Sequence, residues 1–161
     1  MGKKSIPKRY CCNEYMSGKF SMVTPELLEH DGFQNLSYGA QMFYIVLLTH
    51  KETDQQRSCL FATLKEYNEI LNLGMTDVDI MTEATPNARS GDYSHGYFVA
   101  PLKQLKQYGY RKANISRLKD ELIEKGFIKI AFGGKGKYGV WSENVTVYQF
   151  IDAWKSFSSP L

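Results

Sequence analysis

Features that mark disulfide-rich and membrane proteins are scarce in this chain of 161 residues. It has three cysteines, and neither the adjacent Cys11 and Cys12 nor the distant Cys59 forms a CxxC pair. This spacing favours reduced thiols over a disulfide framework or a metal-binding knuckle. The longest unbroken apolar run, Met42 to Leu48, is far shorter than the roughly 20 residues that a membrane span needs. We therefore expect a cytoplasmic protein with no membrane partner.

Residue patterns that carry catalysis are equally scarce. The sequence has no HxH pair and no GxSxG motif, and three histidines lack ligand spacing with one another or with cysteine: His30, His50 and His95. The glycine-rich stretch near residue 136 is not a phosphate-binding loop, because Ala131 and Tyr138 occupy the positions that require Gly and Ser or Thr. The sequence predicts no enzyme activity, no metal and no cofactor.

Charge is unevenly distributed along the chain. The net charge is only +3, but residues 97–139 contain ten Lys or Arg against three acids, and residues 20–96 contain four against eleven. Residues 1–18 carry Lys3, Lys4, Lys8 and Arg9 with little apolar periodicity, which predicts a flexible basic arm. A concentrated basic region within a near-neutral chain is typical of a nucleic-acid-binding protein.

Two helix starts can be identified in the first third of the chain. Thr24, followed by Pro25 and Glu26, provides an N-cap, a proline at the first helical position and an early acid, so a short helix should run to about His30. Ser37 should cap a longer helix, whose apolar residues recur at spacings of three and four. We expect this second helix to begin the core of the domain.

A further helix pair imitates a helix-turn-helix. Apolar periodicity predicts a helix over Leu60 to Leu73 that ends at Gly74, and Thr76 should cap a short helix over Asp77 to Ala84. The second of these helices is acidic and would be repelled by phosphate. We interpret the pair as scaffold or as a partner surface, and residues 75–96 as an insertion that ends in a turn-rich loop.

The stretch from Tyr97 to Tyr148 predicts a winged helix-turn-helix. Pro101 should begin a helix over Leu102 to Gln107, Gly109 permits a tight turn, and a second helix should span Arg111 to Lys125. Two segments with the residue pattern of β-strands follow, and the Gly/Lys-rich loop between them predicts a hairpin. The sequence predicts a single α+β winged-helix domain over residues 19–157, with extra N-terminal helices and a C-terminal helix over residues 149–157.

The helix from Arg111 to Lys125 has the residue types of a recognition helix in a major groove. Its apolar stripe of Ile115, Leu118 and Leu122 should face the core, which leaves basic or neutral residues in the first half of the outer face and carboxylates in the second. Arg pairs with guanine and Asn with adenine in that groove. The candidate base contacts are Asn114 and Arg117; the candidate phosphate contacts are Lys103, Lys106, Arg111 and Lys112. The wing, Phe132 to Trp141, should bring Lys135 and Lys137 to phosphate or the minor groove.

Four segments carry a resemblance to a known family. They are Lys19 to Leu28, Phe33 to Ser37, Ala40 to Leu48 and Ser116 to Ile128. Together they resemble the N-terminal winged-helix domain of RepA-type plasmid replication initiators of Gram-positive bacteria. The chain departs from the family by the insertion and by ending where such initiators continue into a further domain. The resemblance implies sequence-specific binding to repeated origin sites, usually by a dimer.

Other functions remain open from the sequence. A transcriptional repressor of the same fold would use every binding residue named above. The acidic surface of residues 20–96 could instead bind a replication-protein partner, and four aromatic residues could stack single-stranded DNA: Tyr108, Tyr110, Tyr138 and Trp141. The aromatic stripe of the predicted C-terminal helix is a candidate homodimer contact.

Overall fold

The computed structural model of the chain describes residues 23–51, 53–84, 96–133 and 146–157. These residues form an α+β fold with a small antiparallel sheet. The helices are α1 (Pro25–Glu29), α2 (Asp31–Gln34), α3 (Tyr38–His50), α4 (Asp54–Leu71), α5 (Asp77–Ala84), α6 (Leu102–Leu105) and α7 (Lys112–Glu124); the strands are β1 (Tyr97–Val99), β2 (Ile128–Phe132) and β3 (Val147–Phe150). Short 3-10 turns follow α6 at Lys106–Tyr108 and β3 at Ala153–Ser156.

The predicted caps begin the first helices. The Thr24 hydroxyl accepts a hydrogen bond from the Leu27 amide at 3.3 Å, and the Ser37 hydroxyl accepts one from the Ala40 amide at 3.2 Å. Each cap satisfies an amide that has no partner within its helix. Both predicted helix starts are confirmed.

Helix α4 begins earlier than the sequence pattern predicted. Thr53 caps it through the Gln56 amide at 3.2 Å, so the helix starts at Asp54 and not near Leu60. It ends at Leu71, where Asn72 adopts the left-handed conformation with φ 50°, two residues before the predicted stop at Gly74. The predicted bounds were wrong because the first turn of α4 is polar and gives no apolar periodicity, and because Asn also tolerates a left-handed cap.

The acidic helix α5 is confirmed, with a reciprocal cap at its start. The Thr76 hydroxyl accepts from the Asp79 amide at 3.2 Å, while the Asp79 carboxylate accepts from the Thr76 amide at 2.9 Å. These hydrogen bonds favour the ionised carboxylate and lower the pKa of Asp79.

The sheet has the strand order β1-β3-β2, and each neighbouring pair is antiparallel. Side chains alternate between its two faces. Phe98, Tyr148 and Phe150 are buried on one face, and Val99 and Val147 on the other. Both faces of the sheet are therefore covered by other elements.

Helices pack on the sheet from both sides. One core joins the first face of the sheet to α1, α2, α3, α6 and α7. A separate core joins the opposite face to α4 and α5 through Leu60, Leu64, Tyr67 and Ile80. The described residues thus form three layers, and the acidic helix pair is a packed scaffold for the sheet.

The predicted C-terminal helix over residues 149–157 is wrong. Phe150 pairs with Ile128 in β3, and the chain then forms only the 3-10 turn that contains Trp154. The Trp154 ring is 1% exposed and stacks on Phe127 with ring centroids 5.1 Å apart. The apolar spacing that suggested a helix reflects a strand residue and a turn residue that point into one core.

Several predictions concern residues outside the described ranges. These are the basic arm over residues 1–18, residues 85–95 of the predicted loop and residues 134–141 of the predicted wing. Helix α5 and the β1 strand, which flank the predicted loop, are both described. Within the described residues, no helix is both long enough and apolar enough to cross a membrane.

Candidate nucleic-acid interface

Helix α7 buries one stripe and presents the opposite face outward. Ile115, Leu118 and Leu122 are almost completely buried, as predicted from their spacing. The helix packs with this stripe against α3 and the sheet, and Gly126, with φ 82°, ends it. Its outer face is accessible along the whole first half.

The predicted major-groove residues lie on that accessible face. Arg111 occupies the N-cap position, and Lys112, Asn114 and Arg117 follow within the first two turns; all four side chains are exposed. An exposed helix face that begins with cations and an amide is suited to reading base edges and contacting phosphate. The structure therefore leaves four of the predicted site residues exposed at the start of α7.

Helix α6 presents two more of the predicted phosphate contacts. Lys103 and Lys106 are exposed, whereas Leu105 is buried and Gln104 nearly so. The chain turns from α6 to α7 at Gly109, whose φ of 86° is readily adopted only by glycine. The cations of α6 thus lie one tight turn from the start of α7.

A buried histidine anchors α6 to the end of α3. His50 Nε2 lies 2.7 Å from Gln104 Oε1, and its Nδ1 lies 2.8 Å from the Tyr108 hydroxyl. Because an amide oxygen can only accept, the proton sits on Nε2, and Nδ1 accepts from Tyr108. Burial lowers the pKa of His50, although the Gln104 hydrogen bond raises it. The neutral ring therefore fixes the position of α6.

Comparisons with protein-family models, curated proteins and solved structures returned no match. The site is consequently defined by its own geometry and electrostatics.

One carboxylate of the acidic half of α7, Glu121, is partly buried, although the sequence predicted it on the outer face. Glu121 accepts from the Ser37 amide at 2.7 Å and from the Ser37 hydroxyl at 2.8 Å. This carboxylate therefore ties α7 to the N-terminus of α3. Asp120 and Glu124 remain exposed, on the turns farthest from Arg111.

Lys119 is a residue of the site that the sequence pattern missed. It is one of the ten basic residues between positions 97 and 139, but its ammonium donates to the Ala100 carbonyl at 3.3 Å and lies 4.7 Å from the Tyr148 ring centroid. Burial lowers the pKa of Lys119 to about 8, while the charge of Asp120 raises it. The sequence contained one signal for this partial burial. At 100° per residue, position 119 lies beside the buried stripe of α7.

The predicted wing residues Lys135 and Lys137 lie outside the described ranges, but strands β2 and β3 are described. Ile130 pairs with Tyr148, and the next pairing joins Phe132 to Val147, so β2 contains a bulge. A bulge bends and twists the strand that carries it. It lies at the C-terminal end of β2.

Two of the four predicted stacking aromatics are described, and both make contacts within the protein. Tyr108 meets His50 edge to face at 5.4 Å, and Tyr110 meets Phe43 in the same way at 5.1 Å. The other two, Tyr138 and Trp141, lie outside the described ranges. No cluster of three or more potential metal ligands occurs among the described residues.

Proposed function

We propose that this protein binds double-stranded DNA through a winged helix-turn-helix, with α7 in the major groove and the β2–β3 hairpin against phosphate or the minor groove. The observation that carries the proposal is the exposure of Arg111, Lys112, Asn114 and Arg117 at the N-cap and on the first two turns of α7. Positive charge near the helix N-terminus adds to the long-range attraction for a polyanion.

The topology supports this assignment. Helix α3, strand β1, helices α6 and α7, and the β2–β3 hairpin occur in the order typical of a winged helix, and β3 lies in the middle of the sheet. Helices α4 and α5 lie between α3 and β1 in the chain and pack on the far face of the sheet. These two helices therefore leave the outer face of α7 uncovered.

The residue types support sequence-specific recognition. Asn114 and Arg117 are three residues apart and point in similar directions, so they can reach neighbouring base pairs. Lys103, Lys106, Arg111 and Lys112 are exposed on α6 and at the start of α7, and they suit phosphate contacts, which position the protein without reading sequence. The combination is that expected of a specific duplex binder.

Selection from a random duplex library, followed by binding measurements across salt concentrations, tests the proposal. We expect one enriched sequence and an affinity that falls steeply with salt. Arg117→Ala should weaken the preferred sequence by about 1–3 kcal/mol and relax the preference at one position. Failure to enrich any sequence, with no salt-dependent duplex binding, would contradict the proposal.

Lys65→Ala is the matched control, because it removes the same charge from an exposed position on α4 in the opposite layer. Its affinity for the selected duplex should stay close to that of the unmodified protein. If Arg117→Ala and Lys65→Ala lost the same affinity for the duplex, the loss would reflect net charge in general. That result would contradict a role for Arg117 in recognition.

We propose a replication-initiator role on a plasmid or other mobile element, which rests on the resemblance to RepA-type initiators. A repressor of the same fold is the second candidate, since it would use the same surface. The selected sequence can be placed on a plasmid that lacks an origin and, separately, upstream of a reporter gene. Plasmid maintenance indicates an initiator, whereas reduced transcription without maintenance indicates a repressor.

A further inference from the structure

A cavity of about 380 Å³ lies between α7 and the strands that lead to the wing. Helix α7 contributes Ser116, Lys119, Asp120 and Ile123, which fall on one stripe of the helix because their spacing is three, four and seven. The opposite wall comes from β2 and β3. The volume lies within the range of small-molecule sites, roughly 300–1,000 Å³.

The cavity combines charges of both signs with hydroxyl groups. The Lys119 ammonium has three N–H donors, of which one is directed to the Ala100 carbonyl at 3.3 Å. The Asp120 carboxylate lines the same cavity and, when ionised, acts only as a hydrogen-bond acceptor. Ser116, Thr146 and Tyr148 add hydroxyl groups that can donate or accept. A ligand would therefore meet a cation, an anion and neutral hydrogen-bonding groups.

The remaining wall is aliphatic. Ile123 is half-buried, and Ile130 is 39% exposed although it lies on a strand beside the cavity. An apolar group in the cavity would cover both side chains and remove their surface from water. The cavity thus favours an occupant with a short aliphatic body.

The paired charges distinguish between classes of ligand. A phosphate or dicarboxylate would satisfy Lys119 but would be repelled by Asp120, and an amine would meet the reverse problem. A molecule that carries one carboxylate and one ammonium satisfies both. We propose that this cavity binds a small aliphatic zwitterion of amino-acid size, with its carboxylate on Lys119 and its ammonium on Asp120.

Binding at this position would tie α7 to β2 and β3. Ser116 and Asp120 flank Arg117, so a ligand held between helix and strands would alter the orientation or mobility of the helix that carries that side chain. Any change in DNA affinity that the ligand causes must be matched by an equal change in ligand affinity caused by DNA. This coupling rests on the proposed DNA binding, whereas the ligand site itself does not.

Three probe molecules test the site without DNA: L-leucine, leucinamide and N-acetyl-leucine. Backbone NMR shifts should move with L-leucine around residues 116–123, 130 and 146–148, with a dissociation constant of about 1 mM or lower. Leucinamide lacks the carboxylate and N-acetyl-leucine lacks the ammonium, so each should bind about tenfold more weakly or worse. Absence of shifts with all three probes, or shifts centred elsewhere, would overturn the proposal.

Asp120→Asn supplies the decisive variant, since the side chain is exposed and the substitution nearly isosteric. This variant should bind L-leucine more weakly, and its affinity for L-leucine should no longer exceed its affinity for N-acetyl-leucine. Glu124→Gln, one turn further along α7 and outside this cavity, should leave both affinities unchanged. If Asp120→Asn retains the full selectivity, the ammonium does not bind at Asp120 and the proposed site is wrong. These results stand whether or not the chain binds DNA.

Discussion

At the residue scale, Gly126 is required both for its backbone conformation and for its small size. Its φ is 82°, and a Cβ built there would lie 2.9 Å from the Ala153 Cβ and 3.2 Å from the Trp154 nitrogen. The Gly126 carbonyl also accepts from the Trp154 amide at 3.2 Å. The close approach of the turn after β3 to the end of α7 therefore depends on the absence of a side chain.

Gly126→Ala should lower the free energy of unfolding by about 2–4 kcal/mol, because a left-handed backbone and a steric clash both oppose the new methyl group. Gly109→Ala is the matched control: its φ is 86°, but nothing lies within 4 Å of the added Cβ. The free energy of unfolding of this control should fall by only about 1–2 kcal/mol. Urea denaturation of both variants measures the difference, and equal losses would show that the contact with Ala153 is unimportant.

His50 should make the protein less stable in mild acid. Its folded pKa is below the ordinary value of 6.5, so the unfolded chain takes up the proton first as the pH falls. The stability contributed by the neutral ring is complete above pH 6.5 and is lost as the pH drops from there through the lower folded pKa.

Urea denaturation between roughly pH 7 and pH 5 should therefore show a falling free energy of unfolding, with about 1.4 kcal/mol for each pKa unit of difference. His50→Gln removes the titrating ring and should flatten this dependence. An NMR titration of the ring in the unmodified protein should give a midpoint below 6.5. A midpoint above that value would show that burial does not control the titration of this ring.

At the scale of the elements, the contact between Ser37 and Glu121 joins two helices. The carboxylate accepts two hydrogen bonds at the N-terminus of α3, where unpaired amides and the helix dipole favour negative charge. Glu121→Ala should cost about 1–3 kcal/mol, as expected for hydrogen bonds to a charged acceptor. Glu124→Ala, on the exposed face one turn later, should change stability by less than about 0.5 kcal/mol. Thermal and urea denaturation distinguish the two variants, and similar effects would indicate that the interhelical contact contributes little.

Local signals in the sequence were sufficient for several elements. Thr24, Ser37 and Thr76 each predicted a helix start, and Gly109 and Gly126 predicted the turns on either side of α7. These features act over three or four residues, so they can be recognised without knowing the rest of the fold. The burial of one stripe of α7 followed in the same way.

Long-range pairing could not be read from such signals. Phe150 has apolar neighbours at helical spacing, but it pairs with Ile128 across the sheet. The contact between Ser37 and Glu121 spans 84 positions in the chain, and Lys119 acquires its carbonyl partner from another element. The sequence therefore predicted the exposed cations of the site more accurately than the residues that hold α7 in place.

At the scale of the whole molecule, the sheet lies between two helical layers and contributes buried side chains to the core on each side. Leu64 lies with α4 on one side, and Trp154 lies with α1, α2 and α7 on the other. Phe98 and Val99, adjacent in β1, are buried in different cores. If either helical layer separated from the sheet, the apolar side chains on the face that this layer covers would be exposed to water. This coupling through the shared sheet favours cooperative unfolding.

Leu64→Ala should consequently lower the stability of the layer that it does not touch. The chain has two tryptophans, so Trp141→Phe leaves Trp154 as the fluorescent reporter in the first layer. In that background, Leu64→Ala should shift the fluorescence midpoint in urea by an amount equivalent to about 2–5 kcal/mol, together with the circular dichroism transition. A fluorescence transition that stays in place while helical signal is lost earlier would show that α4 and α5 unfold independently. Coincident shifts would mean that the inserted helices stabilise the sheet behind α7, and through it the surface that carries Arg117.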